Sequence, residues 1–151
     1  MDGIINELED EYTSGKCIEL ACALSRKYHL KIAAYIFLED DNYNVLTLEN
    51  MNQLPDIPKE QQGNLFIDHV YATDGKNYYD FYGKTENPQY MCEHQSILIH
   101  DLSENDILTL TRLSKKELDE RVKKAEKDVI NMFPERFEGL KKERNYKRNR
   151  L

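Results

Sequence analysis

The fold is decided by residues 66–83, which read FIDHVYATDGKNYYDFYG. Both halves of this stretch are rich in the aromatic and β-branched residues that favour strands, and Asp74-Gly75 between them is a strong signal for a two-residue hairpin turn. If Thr73 pairs with Lys76, the register of the whole hairpin follows. It then sets three pairs directly opposite one another on one face: Tyr71 and Tyr78, His69 and Asp80, Ile67 and Tyr82.

His69 and Asp80 are the best candidates for chemistry. Directly opposed residues have Cβ atoms roughly 4.5–5.5 Å apart, which allows an Asp carboxylate to accept a hydrogen bond from an imidazole. Such a carboxylate favours the charged imidazolium and fixes which ring nitrogen stays free, as a general base requires. Alternatively, the two form a cross-strand polar pair at a wet sheet edge. The aromatic surroundings favour a site, with Tyr71, Tyr78 and Tyr82 as candidate substrate-binding residues.

Helical and strand patterns surround the hairpin. The sequence predicts helices over 1–12 and from Cys17 to Tyr28, strands over 31–38, 45–48 and 96–100, a turn or short helix over 103–110, and a long helix over 114–133 that begins with the capping box Ser114-Lys115-Lys116-Glu117. Residues 49–64 and the region of Asn87-Pro88 read as loops. The predicted class is α+β, with N-terminal helices packed on an antiparallel β-sheet and a long C-terminal helix following it.

Charge divides the chain into two parts. Of a net charge of −7, residues 140–151 carry six Lys or Arg against Glu143, or +5, which leaves −12 on residues 1–139. We expect one domain over 1–139 and a basic tail over 140–151. The tail is either a solvated helix end or a contact for nucleic acid, an acidic partner or a membrane surface, whereas the acidic body disfavours nucleic acid.

Targeting signals are not evident in the sequence. No apolar run approaches the roughly 20 residues of a membrane-spanning helix. The first residues, Met1 to Glu7, lack the basic start and apolar stretch of a signal peptide. The expectation is therefore a cytoplasmic protein without membrane contact.

The three cysteines, Cys17, Cys22 and Cys92, are an odd number without paired close spacing, which disfavours a disulfide framework and a zinc site. Cys17 begins a helix, where the helix dipole and free amides favour a thiolate, and its own amide is a candidate oxyanion donor. The alternative is a small buried hydrophobic residue. His94 and His100 with Cys92 match no zinc spacing, so we expect neither metal nor cofactor.

A resemblance to a known superfamily follows from three segments. Gly15-Lys16-Cys17 leading a helix, then His69-Val70-Tyr71, then Tyr78-Tyr79-Asp80-Phe81-Tyr82-Gly83, resemble the Cys, His, Asp order of transglutaminase-like, arylamine N-acetyltransferase-like and other papain-like proteins. The resemblance implies a Cys-bearing helix packed on an antiparallel sheet, with the His and Asp on neighbouring strands. It also implies Cys17 as nucleophile, His69 as general base and acid, and Asp80 as the orienting carboxylate.

Two functional hypotheses result. The first is a small thiol enzyme that transfers acyl groups or hydrolyses amides or thioesters, with a protein or a small acyl compound as substrate. The second is a non-catalytic interaction or inhibitor protein on the same fold, acting on a host or defence protein. The abundance of Asn, Lys, Ile and Tyr is typical of a low-GC bacterium or its phage.

Overall fold

The computed structural model describes residues 2–39, 45–46, 65–86 and 96–140. In chain order the elements are α1 (Asp2–Tyr12), α2 (Cys17–Tyr28), β1 (Lys31–Glu39), β2 (Val45–Leu46), β3 (Leu65–Thr73), β4 (Tyr78–Asp80), β5 (Gly83–Thr85), β6 (Ile97–Leu102), α3 (Glu104–Thr111) and α4 (Lys115–Ala125), followed by a π-helical turn (Glu126–Ile130) and a 3₁₀ helix (Pro134–Phe137). The predicted α+β class is confirmed, with N-terminal helices on an antiparallel sheet and C-terminal helices after it.

The sheet is built around β1. Strand β3 pairs with β1 along most of its length, and β4 and β5 extend the sheet beyond β3. Strands β2 and β6 pair with successive parts of β1, and all the pairings are antiparallel. The strand that carries His69 is therefore interior, between β1 and β4.

The helices begin and end where local hydrogen bonds allow. Ser103 and Asp106 form a reciprocal capping box at the start of α3, and the Ser114 side chain accepts from the Glu117 amide at 3.1 Å to start α4. Helix α2 ends at His29, which adopts the left-handed conformation with φ of 56°. The predicted long helix is present as α4 and its π-helical continuation, and it ends before Pro134.

One apolar core lies between the helices and the sheet. Alternate residues of β1 (Ile32, Ala34 and Ile36) and of β3 (Val70 and Ala72) meet the stripe of α2. That stripe comprises Cys17, Leu20, Ala21 and Leu24, all buried. Burying one such Leu contributes about 1.5–3 kcal/mol to the free energy of unfolding, so these contacts hold α2 against the sheet.

The hairpin register differs from the prediction. Thr73 pairs with Tyr78 and Ala72 with Tyr79, so the predicted pair of Thr73 with Lys76 is wrong. The register has moved by two residues, and His69 therefore does not lie directly opposite Asp80. Because side chains alternate with a period of two, an even shift leaves His69 and Asp80 on the same face, in diagonal positions.

The turn chemistry explains the shift. The Asp74 carboxylate accepts from the amides of Lys76 at 2.9 Å and Asn77 at 2.7 Å, and the Asp74 amide donates to the Asn77 carbonyl at 3.3 Å. The turn is consequently centred on Gly75-Lys76. Gly75 supplies the positive φ of 94° that the first central position of such a hairpin requires.

Several predictions concern residues outside the described ranges. These are the loops over 49–64 and around Asn87-Pro88, the positions of Cys92 and His94, and the basic tail beyond Leu140. Leu140 itself, which the sequence assigned to the tail, is buried in the core. Among the described residues, no helix combines the length and apolar character needed to cross a membrane.

Candidate functional site

His69 and Asp80 are in direct contact inside the protein. The His69 Nε2 atom lies 3.3 Å from the Asp80 Oδ2 atom, and the two residues are 1% and 3% exposed. The second oxygen of Asp80, Oδ1, accepts from the Tyr82 amide at 3.0 Å. Both carboxylate oxygens are therefore engaged, which fixes the plane of the Asp80 carboxylate relative to the imidazole.

A β-bulge immediately precedes His69. Tyr35 pairs with His69 and Ile36 with Ile67, so Asp68 is the extra residue in β3. The Asp68 carboxylate accepts from the Ser96 hydroxyl at 2.8 Å, which anchors the bulge. Bulges redirect neighbouring side chains, and this one lies at the point where the direction of the His69 ring is set.

Cys17 is the first residue of α2, and its side chain is buried. It is 4% exposed, and Cys17 is among the groups that raise the pKa of His69. The structure thus brings His69 and Asp80 into direct contact, whereas the role of Cys17 beside them stays a prediction.

The environment of His69 favours its charged form. Burial by itself lowers the pKa of the imidazole, but hydrogen bonds to Asp80 and Cys17, together with their charges, outweigh it and raise the pKa from 6.5 to about 9. His69 is therefore an imidazolium at neutral pH.

Cys22, the second buried cysteine of α2, has an unfavourable environment for ionisation. Burial, followed by the charge of Glu104, raises the pKa of Cys22 to about 12. Cys22 therefore remains a neutral thiol at physiological pH. It serves as an internal reference for Cys17.

The predicted oxyanion donor is already engaged. The Cys17 amide donates to the Ser14 carbonyl at 3.3 Å, so it is not a free donor. The helix geometry leaves the next two amides, of Ile18 and Glu19, without an intrahelical acceptor, and no side chain caps this end of α2. These two amides are the better candidates to stabilise an oxyanion.

The three predicted substrate-binding tyrosines occupy different environments. Tyr71 is fully buried and its ring packs edge-on against the His69 ring, with centroids 4.5 Å apart. Tyr78 is half-buried, and its hydroxyl lies 2.9 Å from His100 Nε2. Tyr82 is 44% exposed and donates to Glu9 at 2.9 Å. Their role in binding substrate stays a prediction, and the contact with His100 was not expected from the sequence.

A cleft of about 620 Å³ lies on the other side of the first turn of α2. Its lining residues from that turn are Gly15, Ile18 and Glu19, whereas Cys17 points with Leu20 into the core. Burial raises the pKa of Glu19, whose carboxylate pairs with Arg121 at 3.4 Å. Cys17, His69 and Asp80 do not line this cleft.

Among the residues that the structure describes, no cluster of three or more His, Cys, Asp or Glu is arranged to hold a metal ion.

Comparison with protein-family models, with the curated proteins and with the solved structures finds no match to this chain. The interpretation of the site therefore depends on the geometry and chemistry of its own residues.

Proposed function

We propose that this chain is a thiol enzyme that transfers or hydrolyses acyl groups, with Cys17 as nucleophile, His69 as proton carrier and Asp80 as the residue that orients His69. The observation that carries the proposal is that one buried imidazole contacts the Asp80 carboxylate at 3.3 Å and has its pKa raised to about 9, with Cys17 among the groups that raise it. Strongly shifted groups of this kind concentrate at functional sites.

In the first step, the Cys17 thiolate attacks the carbonyl carbon of an amide or thioester, and the carbonyl electron pair moves to the oxygen. When this adduct collapses, the bond to the leaving nitrogen or sulfur breaks. The His69 imidazolium donates its proton to that leaving group. The products are an acyl thioester on Cys17, a neutral His69 and the free amine or thiol.

In the second step, neutral His69 accepts a proton from water or from an acceptor nucleophile as it attacks the thioester carbon. The carbon–sulfur bond breaks, Cys17 leaves as thiolate, and His69 is again an imidazolium. Asp80 holds the ring through Nε2 and leaves the other ring nitrogen to carry the proton. A reducing compartment such as the cytoplasm suits this chemistry because it keeps the thiol free.

We also propose that the chain belongs to the papain-like and transglutaminase-like superfamily. Three features support this: a Cys at the start of a helix, the packing of that helix on an antiparallel sheet, and a His and an Asp on neighbouring strands in the order Cys, His, Asp. The substrate in this proposal is a protein or a small acyl compound.

Acylation by a simple activated ester tests the proposal. The purified chain is incubated with p-nitrophenyl acetate at pH 7, and the site of acetylation is mapped by mass spectrometry. We expect an acetyl group on Cys17 well before Cys22, because Cys17 contributes to the raised pKa of His69, whereas burial raises the pKa of Cys22 to about 12.

The matched controls are Cys17→Ser, Cys22→Ser and His69→Gln. Cys17→Ser should abolish the rapid acetylation, Cys22→Ser should retain it, and His69→Gln should slow it by about 10²-fold or more, the usual size of a general acid–base contribution. Equal acetylation of Cys17 and Cys22 in the native protein contradicts the proposal.

The second candidate function is that of an interaction protein that inhibits a host or defence protein. The low exposure of Cys17, at 4%, favours it, as does the exposure of two apolar residues of α1, Ile4 and Ile5, at 58% and 37%. A pull-down whose captured partner is retained by Cys17→Ser and lost on removing residues 140–151 favours this function over the enzyme.

A further inference from the structure

Arg136 reaches across the molecule to the turn that carries Asp80. Its Nη1 atom donates to the Phe81 carbonyl at 2.6 Å. The guanidinium also lies over two aromatic rings, 4.6 Å from the centroid of Phe81 and 4.0 Å from that of Phe133. A planar cation stacked in this way has its direction fixed, which a flexible Lys ammonium does not reproduce.

Phe81 is the residue directly after Asp80, so its carbonyl belongs to the backbone that sets the position of the Asp80 carboxylate. The next residue, Tyr82, donates its amide to Asp80 Oδ1 at 3.0 Å. The Tyr82 hydroxyl is held in turn by Glu9 of α1 at 2.9 Å. The turn is thus fixed from α1 on one side and from the 3₁₀ helix on the other.

Gly83 allows the 3₁₀ helix to lie this close. It has φ of 95°, and a Cβ atom there would stand 3.1 Å from the Arg136 carbonyl oxygen and 3.2 Å from the Arg136 Cβ atom. The absence of a side chain therefore serves both the backbone conformation of the turn and the approach of Arg136.

We propose that Arg136 is a positioning residue for the His69–Asp80 pair, holding the Phe81 carbonyl so that the Asp80 carboxylate stays within bonding distance of His69. The catalytic role of this positioning rests on the proposed function. It makes the segment after α4 part of the site, although that segment touches neither Cys17 nor His69 in the contacts described.

The test is an NMR titration of the His69 ring in the full chain, in which the sign of the change distinguishes two roles. If Arg136 positions Asp80, Arg136→Gln weakens the His69–Asp80 bond and lowers the pKa of His69 by roughly one unit. If Arg136 acts only as a nearby positive charge, its removal raises the pKa of His69. Arg136→Lys keeps the charge and should still lower the pKa of His69, by a smaller amount.

Arg26→Gln is the matched control, because Arg26 forms comparable bonds to Glu104 and Asp119 and should leave the titration of His69 unchanged. Exchange of the Tyr82 amide should accelerate about tenfold in Arg136→Gln and stay unchanged in Arg26→Gln. If Arg136→Gln fails to fold, Arg136→Lys decides the question.

An unchanged or raised pKa of His69 in a folded Arg136 variant overturns the inference. Acetylation of Cys17 in the unsubstituted chain tests the proposed function separately. Failure there with a lowered pKa of His69 in Arg136→Gln leaves Arg136 as the residue that positions a non-catalytic pair.

Discussion

The His69 Nε2 atom lies 3.3 Å from the Asp80 Oδ2 atom, and the two residues are diagonal neighbours on adjacent strands. The pairing of Ala72 with Tyr79, continued by one residue, sets Tyr71 and not His69 directly opposite Asp80. The contact is possible because the register differs from the expected one by an even number of residues, which keeps both side chains on one face. The Tyr82 amide donates to the other carboxylate oxygen, Asp80 Oδ1, and fixes its position. The pair is therefore determined by the turn after Asp80 as much as by the strands.

Asp80→Asn tests the cause of the raised pKa of His69. The amide retains the size of the side chain and loses its charge, so the effect of burial, which lowers the pKa, is no longer offset by Asp80. We expect the pKa of His69 to fall from about 9 to its ordinary value of 6.5 or below, measured by NMR titration of the ring. A pKa that stays near 9 in this variant would show that Asp80 is not the cause.

Much of the fold could be predicted from the sequence because local and periodic signals agree. The stripe from Cys17 to Leu24 specifies α2, and the aromatic and β-branched runs specify β3 and β4. The register could not be predicted reliably, because Asp74 can start a turn either as one of its central residues or, as found, through its side chain. The two choices have similar sequence signals and differ by two residues in pairing.

The surroundings of the candidate site were less accessible to sequence reasoning. Residue type, turn chemistry and chain order select Cys17, His69 and Asp80 as candidates. The bulge at Asp68 and the bond from Arg136 to the Phe81 carbonyl join residues distant in sequence, and no local pattern indicates them. The bond from Cys17 to Ser14 likewise depends on the particular turn between α1 and α2.

Stability should depend on pH through His69. Its pKa is raised in the folded state, so the contribution to the free energy of unfolding is complete below pH 6.5 and is lost as the pH rises through about 9. The shift corresponds to at most about 3 kcal/mol, at about 1.4 kcal/mol for each pH unit. Urea unfolding at pH 6 and pH 10 measures this difference, and His69→Gln should reduce it. An equal loss of stability in both proteins would assign the effect to other groups.

Two glycines with similar φ should respond differently to substitution. Gly75→Ala and Gly83→Ala both place a side chain at positive φ, of 94° and 95°, which costs about 1–2 kcal/mol. Gly75 has open space around it, whereas a Cβ atom at Gly83 meets the backbone of Arg136 at 3.1 Å. We expect Gly83→Ala to lower the free energy of unfolding more than Gly75→Ala does, as measured by urea denaturation. Equal losses would indicate that the 3₁₀ helix moves away freely.

The most direct test of the central claim, that Cys17, His69 and Asp80 act as one chemical unit, is the rate of iodoacetamide alkylation at each cysteine of the native chain. At pH 7, Cys17 should react at least about tenfold faster than Cys22, whose pKa is raised to about 12, and His69→Gln should reduce the difference by slowing Cys17. Asp80→Asn should reduce it. Equal alkylation of Cys17 and Cys22, unaffected by His69→Gln, would contradict the account.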